Sequence, residues 1–256
     1  MRFYLQLGFT LLVCLFLIVP VVMSVIAGVT ENFFIGVKSG FTLRWIVEVW
    51  SLYANTVYLS LGIALACLVV TLVLGVPAAY VLARSQNRWT RAFEELLVLP
   101  VAVPGLATAL ALILFYGELR AFRGSWTFIL VGHVLFTLPF MLRSVLAVMA
   151  AIDLKTLEDA AASLGASFRS RFFNVILPNA KPGILAGSLM VVTLSMGEFN
   201  ITWMLHTPLT ATLPVGLADS YASMRLEIGS AYTIVFFFMI VPLLVMLQWL
   251  SERVAR

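Results

Sequence analysis

Six long apolar runs constrain this chain more than any other feature of its sequence. They occupy residues 5–27, 56–82, 96–115, 126–150, 184–205 and 231–250, and each approximates the about 20 apolar residues that a helix needs to cross a bilayer. Hydrophobic residues make up 62% of the 256 residues and charged residues 11%, against about 25% charged in soluble domains. The alternating segments of a membrane β-barrel are absent. The sequence therefore predicts an all-α membrane protein, a bundle of about six transmembrane helices.

The first run and the cysteines indicate whether the chain carries a cleaved signal peptide or disulfides. A signal peptide has an apolar region of only about 7–15 residues, so the longer run 5–27 predicts an uncleaved signal anchor. Cys14 and Cys67 both lie inside apolar runs, which favours thiols that face lipid or the core and argues against a disulfide framework. We expect a single transmembrane domain over residues 1–256, with its core at 55–250.

The basic residues predict the orientation of the bundle. Six spans place both termini on one side, and Lys and Arg accumulate on the cytoplasmic side of membrane proteins. The side of the termini holds Arg2, Arg84, Arg88, Arg91, Arg143, Lys155, Arg169, Arg171, Lys181, Arg253 and Arg256. The opposite side holds Lys38, Arg44, Arg120, Arg123 and Arg225. We therefore expect cytoplasmic termini, and we read the net charge of +4 as topogenic and not as a sign of nucleic-acid binding.

Two prolines interrupt the third apolar run, in the sequence VLPVAVPGL. Proline removes a backbone donor and kinks a helix, and such breaks are tolerated in membranes where they are buried in protein or line a water-filled cavity. Pro100 and Pro104 are therefore expected to break the third span twice. They indicate either a packing kink or a flexible helix that lines a translocation path.

The segment EDAAASLGASFRSRFFNVILPNAKPG, residues 158–183, is far more polar than the runs on either side of it. Thr156 and Asp159 have the spacing of a capping box, so we expect a short helix capped by Thr156. Glu158 and Asp159 would then complement the positive end of its dipole, and Gly165 suits the C′ position that ends it.

The rest of this segment predicts a close protein contact followed by a second amphipathic piece. Ala160, Ala161, Ala162 and Ser163 give the short helix little bulk, which allows another protein to approach it. Four apolar side chains at 168, 172, 173 and 176 follow the glycine. Pro178 and Pro182 are expected to end this second piece before the fifth span.

The same residues resemble the signature loop of ATP-binding-cassette importer permeases. That signature runs Glu-Ala-Ala, three residues, Gly, nine residues, Ile, any residue, Leu, Pro. The matching positions here are Asp159, Ala160, Ala161, Gly165, Val175, Leu177 and Pro178, with Asp in place of Glu and Val in place of Ile. Six spans, both ends on one side, and a loop between spans four and five extend the resemblance to the membrane subunit of a type I importer over nearly the whole chain.

The resemblance implies a mechanism in which another subunit uses ATP. A coupling loop at about 153–182 would contain a coupling helix that docks on a cytoplasmic dimer of ABC ATPases. The residues implied in this coupling are Glu158, Asp159, Ala160, Ala161, Gly165, Ala166, Leu177 and Pro178. This chain has no Gly-x-x-x-x-Gly-Lys-[Ser/Thr] phosphate loop, so ATP and Mg are expected on the partner. We expect no cofactor, metal ligand or catalytic residue on the chain itself.

The resemblance also implies further partners, a location and a range of solutes. The partners are the lipid bilayer, a second permease subunit and a periplasmic or extracellular substrate-binding protein, in a bacterial inner membrane. A heterodimer of permeases is favoured over a homodimer. The stretch GEFNITWMLHTPLTATLPVGL is most similar to the polyamine, phosphonate and ferric-iron branch, so a polyamine, 2-aminoethylphosphonate and ferric iron all remain open.

Glu198 is the only acid clearly inside a predicted span. A charge at this depth costs at least a few kcal/mol and marks a candidate functional site. It indicates either a translocation path shared with Asn200, Pro100 and Pro104, or a hydrogen bond or ion pair to a neighbouring helix. His133, in the fourth span, is expected to be packed or bonded between helices.

Two other classes of protein remain as alternatives. A secondary transporter or channel that works without an ATPase would more often show inverted repeats with matching broken helices. An integral membrane enzyme would need a constellation such as Ser with His, but the chain has only His133 and His206 and no Gly-x-Ser-x-Gly motif. Copurification with an ATPase distinguishes an importer permease from both alternatives.

Overall fold

The computed structural model describes residues 2–85 and 87–255, apart from the side chains of Arg91 and of residues 250–255. Within these residues the chain folds almost entirely into α-helices. They are α1 Arg2–Gly28, α2 Arg44–Arg84, α3 Arg88–Ala102, α4 Gly105–Tyr116, α5 Arg120–Arg123, α6 Trp126–Ala151, α7 Leu154–Ser163, α8 Phe168–Arg171, α9 Leu177–Gly197, α10 Asn200–Leu205, α11 Leu213–Ala222 and α12 Leu226–Ala255. A π-helical turn, Phe172–Ile176, joins α8 to α9. The predicted all-α class is confirmed.

The predicted spans correspond to long apolar helices. Among the described residues, α1, α2, α6, the continuous helix Phe168–Gly197 and α12 are each long and apolar enough to cross a membrane. The pair formed by α3 and α4 is a sixth candidate, bent by 102°. The expectation of about six spans therefore agrees with the helices. Arg256, which we counted for the orientation, lies outside the described residues.

The third span breaks once, and the prediction of two breaks is wrong. α3 continues through Pro100 and ends at Ala102, whereas Pro104 lies immediately before α4. Proline disfavours the helical conformation for the residue before it, and Val103 adopts an extended backbone with ψ 130°. Pro104 therefore sets the position of the bend, while Pro100 is accommodated inside a helix.

The fifth span begins earlier than predicted and ends earlier. Pro178 and Pro182 do not stop the chain before it, because both lie inside α9. Pro178 lies in the first turn of α9, directly after the π-helical turn Phe172–Ile176. At its other end the span breaks at Glu198 and Phe199, so that α10 is a separate short helix.

The described contacts divide the chain into two compact units. The first unit comprises residues 1–57 and 213–239, and the second comprises residues 58–212 and 240–256. The expectation of one transmembrane domain stays a prediction.

The first unit has a small core formed by α12, the start of α11 and the first part of α2. Its buried members are Val49, Val57, Leu213, Ile228, Ala231, Tyr232 and Val235. The loop between α1 and α2 is held by polar contacts: the Phe33 backbone N–H donates to Glu227 Oε1 at 2.8 Å, and Trp45 Nε1 donates to the Thr30 carbonyl at 2.9 Å. α1 exposes its apolar side chains on all sides over residues 3–23.

The second unit is built around the close packing of α6 against α9. A Cβ added at Gly183 would lie 2.6 Å from the Ser144 carbonyl oxygen, and one at Gly187 would lie 2.7 Å from Met141 Sδ. Small residues permit such close approach between membrane helices. A buried cluster that includes Cys67, Tyr80, Met149, Leu154 and Ile176 joins this pair to α2 and α7. It is this cluster that positions the segment 153–182.

Candidate functional site

The short helix α7 is capped by Asp153, and the prediction that Thr156 caps it is wrong. The Asp153 carboxylate accepts from the Thr156 backbone N–H at 3.2 Å and from the Thr156 hydroxyl at 2.6 Å. Thr156 is thus already inside the helix and donates its hydroxyl proton. These hydrogen bonds from Thr156 favour the ionised carboxylate and lower the pKa of Asp153.

One face of α7 is buried and the other is exposed. Leu154 and Glu158 are buried, and Leu157 and Ala161 are half-buried beside them, which is the spacing of one helix face. The exposed face consists of Lys155, Thr156, Asp159, Ala160, Ala162 and Ser163. Leu164, which follows directly, has 89% of its surface exposed. A protein that approached α7 would therefore meet small side chains bordered by one large apolar side chain.

Gly165 ends α7 in a left-handed conformation, as its predicted C′ position requires. Its φ is +81°, its N–H donates to the Ala162 carbonyl at 2.9 Å, and the Ala166 N–H donates to the Ala161 carbonyl at 3.1 Å. This is the hydrogen-bond pattern of a Schellman motif. A Cβ at Gly165 would meet nothing within 4 Å, so the backbone conformation, and not lack of space, favours glycine here.

Glu158 points away from the exposed face of α7 and into the second unit. Its Oε1 accepts a hydrogen bond from the Tyr80 hydroxyl at 2.5 Å, and its Oε2 lies 3.3 Å from Arg84 Nε. Arg84 Nη1 also donates to the Tyr80 hydroxyl at 3.3 Å. Glu158 therefore contacts the end of α2, unlike its neighbour Asp159, which is exposed.

The remaining residues that the resemblance implied in coupling follow α7 in the chain. Ala166 and Leu177 are half-buried, and Pro178 is exposed on the first turn of α9. Between them, α8 is capped by Ser167, whose hydroxyl accepts from the Ser170 N–H at 3.3 Å. These residues lead the chain from α7 back into the fifth span.

Glu198 bridges the break between α9 and α10. It is 8% exposed, and its carboxylate accepts from the Ile201 N–H at 2.7 Å, the Thr202 N–H at 2.9 Å and the Thr202 hydroxyl at 2.8 Å. These are the N–H groups that the first turn of α10 leaves without partners. Of the two readings of Glu198, the geometry favours a structural hydrogen-bonding group over a residue that lines a path.

His133 fixes the same break from the side of α6, and its expected role between helices is confirmed. Its Nδ1 lies 2.8 Å from Ser195 Oγ on α9, and its Nε2 lies 2.8 Å from Thr202 Oγ1 on α10. We call His133, Ser195, Glu198 and Thr202 the polar cluster. Among the described parts of the chain, no three His, Cys, Asp or Glu side chains are arranged to hold a metal ion.

The other residues predicted to line a path lie at two neighbouring breaks. Asn200 is exposed at the start of α10, and Pro104 is exposed before α4. The two helix starts are close, because a Cβ added at Gly105 would lie 3.2 Å from the Asn200 Cβ. Pro100 is half-buried within α3. The bends of the third and fifth spans thus meet, and Glu198 is buried at the second of them.

Sequence reasoning missed several residues that the structure brings into these sites. Tyr80 and Arg84 lie in the second apolar run and its edge, with no local motif to connect them with Glu158. Leu164 could have been noticed as an apolar side chain directly before a helix-ending glycine. Ser195 carries no sequence signal beyond its position one helical turn before Glu198.

Comparison with known proteins identifies the family of this chain. The family model described as the binding-protein-dependent transport system inner membrane component matches residues 75–256. The chain is 31% identical over 220 residues to the putrescine transport system permease protein PotI of Escherichia coli, covering 82% of this chain and 76% of that protein. It is 28% identical over 216 residues to the sulfate transport system permease protein CysW of Synechocystis sp., covering 78% of each.

A further relative and a solved structure extend the match to the fold. The chain is 27% identical over 250 residues to a Salmonella typhimurium protein named as a 2-aminoethylphosphonate transport system permease, covering 96% of this chain and 92% of that protein. An inward-facing structure of the MetNI methionine ABC transporter matches with a TM-score of 0.65 and 15% identity, covering 81% of this chain and 96% of that chain. The fold is therefore that of a type I importer permease. With a family model that matches most of the chain, the protein belongs to the binding-protein-dependent inner-membrane permeases of ABC importers and is a transport subunit, not an enzyme.

Proposed function

We propose that α7 is the coupling helix of this permease and docks on a partner ABC ATPase. The observation that carries this proposal is the division of α7 into an anchored face and a bare face. Leu154 and Glu158 hold the helix to its own unit, while Asp159, Ala160 and Ala162 remain exposed. A helix with small exposed side chains permits close approach of a second protein, and Leu164 offers it an apolar contact.

The docking surface consists of Asp159, Ala160, Ala162, Ser163 and Leu164. Ala161 and Glu158, which the sequence placed in the coupling set, act from the inner face of the helix. Gly165 and Ala166 shape its end through their hydrogen bonds to Ala162 and Ala161. In this proposal ATP and Mg are bound by the ATPase dimer, and this chain binds neither. A change in the ATPase moves α7, which moves the spans between two states.

The chain is proposed to lie in a bacterial inner membrane with both termini and α7 in the cytoplasm. The support is the excess of Lys and Arg on that side. A second permease subunit completes the translocation path, and a heterodimer is the favoured arrangement. A substrate-binding protein delivers the solute from the other side.

We favour 2-aminoethylphosphonate as the solute. The relatives are named for the transport of putrescine, which is an amine, of sulfate, which is an oxyanion, and of 2-aminoethylphosphonate, which has both an amine and an oxyanion group. The phosphonate relative aligns over 96% of this chain. A cationic polyamine would be favoured by a free carboxylate in the path, but the Glu198 carboxylate already accepts hydrogen bonds from the backbone of α10.

A cleft at one end of the second unit has charges suited to a zwitterion. It has a volume of roughly 660 Å³ and is lined by the ends of α2, α3 and α6, including Glu94 and Arg143. A guanidinium binds phosphonate oxygens as it binds phosphate, and a carboxylate attracts an ammonium group. Glu94 and Arg143 are therefore proposed to contact the solute on its way out of the path.

The experiment is uptake of radiolabelled 2-aminoethylphosphonate into proteoliposomes that contain the copurified complex and its binding protein. Uptake should require ATP inside the vesicles, and unlabelled putrescine, sulfate and ferric iron should compete poorly. Arg143→Ala should reduce uptake more than Arg143→Lys does. If putrescine or iron is taken up in preference to 2-aminoethylphosphonate, the choice of solute is overturned. Uptake without any ATPase would support a secondary transporter instead.

A further inference from the structure

We propose that Glu158, Tyr80 and Arg84 form a link through which movement of α7 reaches the end of α2. This inference rests on the proposed coupling role of α7 and assigns the residues that transmit its motion. We call these three residues the α2–α7 link. They are positioning residues, because none of them lies on the docking surface.

Glu158 is a buried carboxylate, and its burial requires partners. The residue is 2% exposed, although it lies on a short helix whose other polar side chains are exposed. A buried carboxylate is tolerated only where hydrogen bonds and an opposite charge compensate it. Here both come from α2: the Tyr80 hydroxyl at 2.5 Å and the Arg84 guanidinium at 3.3 Å. Moving α7 alone would leave this charge without partners, so α7 and the end of α2 are held together.

Tyr80 is also in contact with the segment that follows α7. Its ring packs edge-on against Phe172 with centroids 5.4 Å apart, and it lies 6.3 Å from the ring of Phe168. Tyr80 is itself 5% exposed. One side chain of α2 is therefore held by both α7 and the turn that leads into α9, which makes it a fixed point for the whole segment.

The exposed and buried residues of α7 connect its docking surface with the α2–α7 link. Glu158 is buried, whereas the next residue on α7, Asp159, is exposed. A partner that pushes on the exposed face of α7 therefore moves the helix that carries Glu158 of the α2–α7 link. Packing of Leu154 in the same buried cluster as Tyr80 adds a non-directional contact, but the paired charges provide the contact that resists sliding.

The test measures hydrogen exchange of backbone amides in the assembled complex, with and without MgATP. In the parent, MgATP should change exchange in α7 and also at the end of α2, residues 76–84. In Glu158→Gln and in Tyr80→Phe, the change in α7 should remain and the change at the end of α2 should be lost. Tyr80→Phe keeps the ring contacts with Phe168 and Phe172, so it is the variant expected to fold as the parent does.

Two controls make the outcomes distinct. Glu118→Gln makes the same change as Glu158→Gln at an exposed acid outside α7 and should leave the response of α2 intact. Arg84→Lys retains the positive charge and should retain a large part of that response. If Tyr80→Phe and Glu158→Gln both transmit the MgATP response to α2 as the parent does, the link is refuted. If the parent shows no response in α7 itself, the proposed coupling role of α7 fails instead.

Discussion

His133 and Glu198 approach each other across the break in the fifth span, with His133 Nε2 3.6 Å from Glu198 Oε2. The Thr202 hydroxyl lies between them, 2.8 Å from each of these atoms. Because this hydroxyl gives its one proton to the carboxylate, it must accept from His133 Nε2–H. In the neutral imidazole, Nδ1 of His133 then accepts from the Ser195 hydroxyl. The polar cluster thus has a defined direction of hydrogen bonding that joins α6, α9 and α10.

The first prediction concerns Thr202. Thr202→Val keeps the shape of the side chain but leaves His133 Nε2–H and a carboxylate oxygen without this partner. We expect a loss of about 0.5–2 kcal/mol in the free energy of unfolding. Thr202→Ser retains the hydroxyl and should stay near the parent. Thermal unfolding in detergent measures both variants, and equal stability of Thr202→Val and Thr202→Ser would contradict the role of the hydroxyl.

The second prediction separates the two readings of Glu198. Glu198→Gln replaces one oxygen by an NH₂ group that faces a backbone N–H of α10, so a donor meets a donor. We expect stability to fall by about 1–3 kcal/mol, and uptake to fall with it. Asn200→Ala, at an exposed neighbouring position, should leave stability unchanged. A Glu198→Gln variant that unfolds like the parent but loses uptake would instead show that the charge serves the translocation path.

The third prediction concerns the pKa of Asp153. Its hydrogen bonds from Thr156 hold this pKa below the ordinary value for aspartate, so the ionised cap stabilises α7 above the unfolded-state pKa. That contribution is lost as the pH falls through the lowered folded-state pKa. Thr156→Val removes the hydroxyl donor and should raise the pKa of Asp153, whereas Thr156→Ser should not. A pH titration of labelled aspartate carboxyl signals by NMR measures the shift, and an unchanged midpoint in Thr156→Val would refute this cause.

The fourth prediction concerns orientation. Cys14 is exposed and is first replaced by serine, so that it does not react. Ser85→Cys, between α2 and α3, should then react with a membrane-impermeant maleimide only after the cells are opened. Lys38→Cys, between α1 and α2, should react in intact cells. Both side chains are exposed, so labelling of both from outside would overturn the proposed orientation.

The helices of this fold could largely be predicted from hydrophobicity alone. The runs at 126–150 and 231–250 fall within α6 and α12, because a helix in lipid must be apolar over its full width. The apolar run at 56–82 covers only the later part of α2. The helix starts at Arg44, and its first residues are less apolar than the run. The break after Gly197 could not be predicted, because it depends on a carboxylate that caps α10 from within the same apolar run.

The candidate site was predictable where it depends on local chemistry. Gly165 adopts φ +81°, as its place after a run of helix-forming residues indicated. The contact between Tyr80 and Glu158 joins residues 78 positions apart in the sequence, and no spacing rule connects them. The cap of α7 was predicted at the wrong residue. Asp153 caps the helix in place of Thr156, because its carboxylate accepts from both the N–H and the hydroxyl of Thr156.

The central claim, that α7 docks on a partner ATPase, is tested most directly by copurification from membranes. The parent complex should retain the ATPase, and Ala160→Arg, which adds a long charged side chain to the exposed face of α7, should lose it. Ser85→Arg adds the same charge at an exposed position outside α7 and should retain the ATPase as the parent does. The amount of each permease variant in the membrane should be equal, since neither position lies in a span core. Full retention of the ATPase by Ala160→Arg, with uptake at the parent level, would contradict the account.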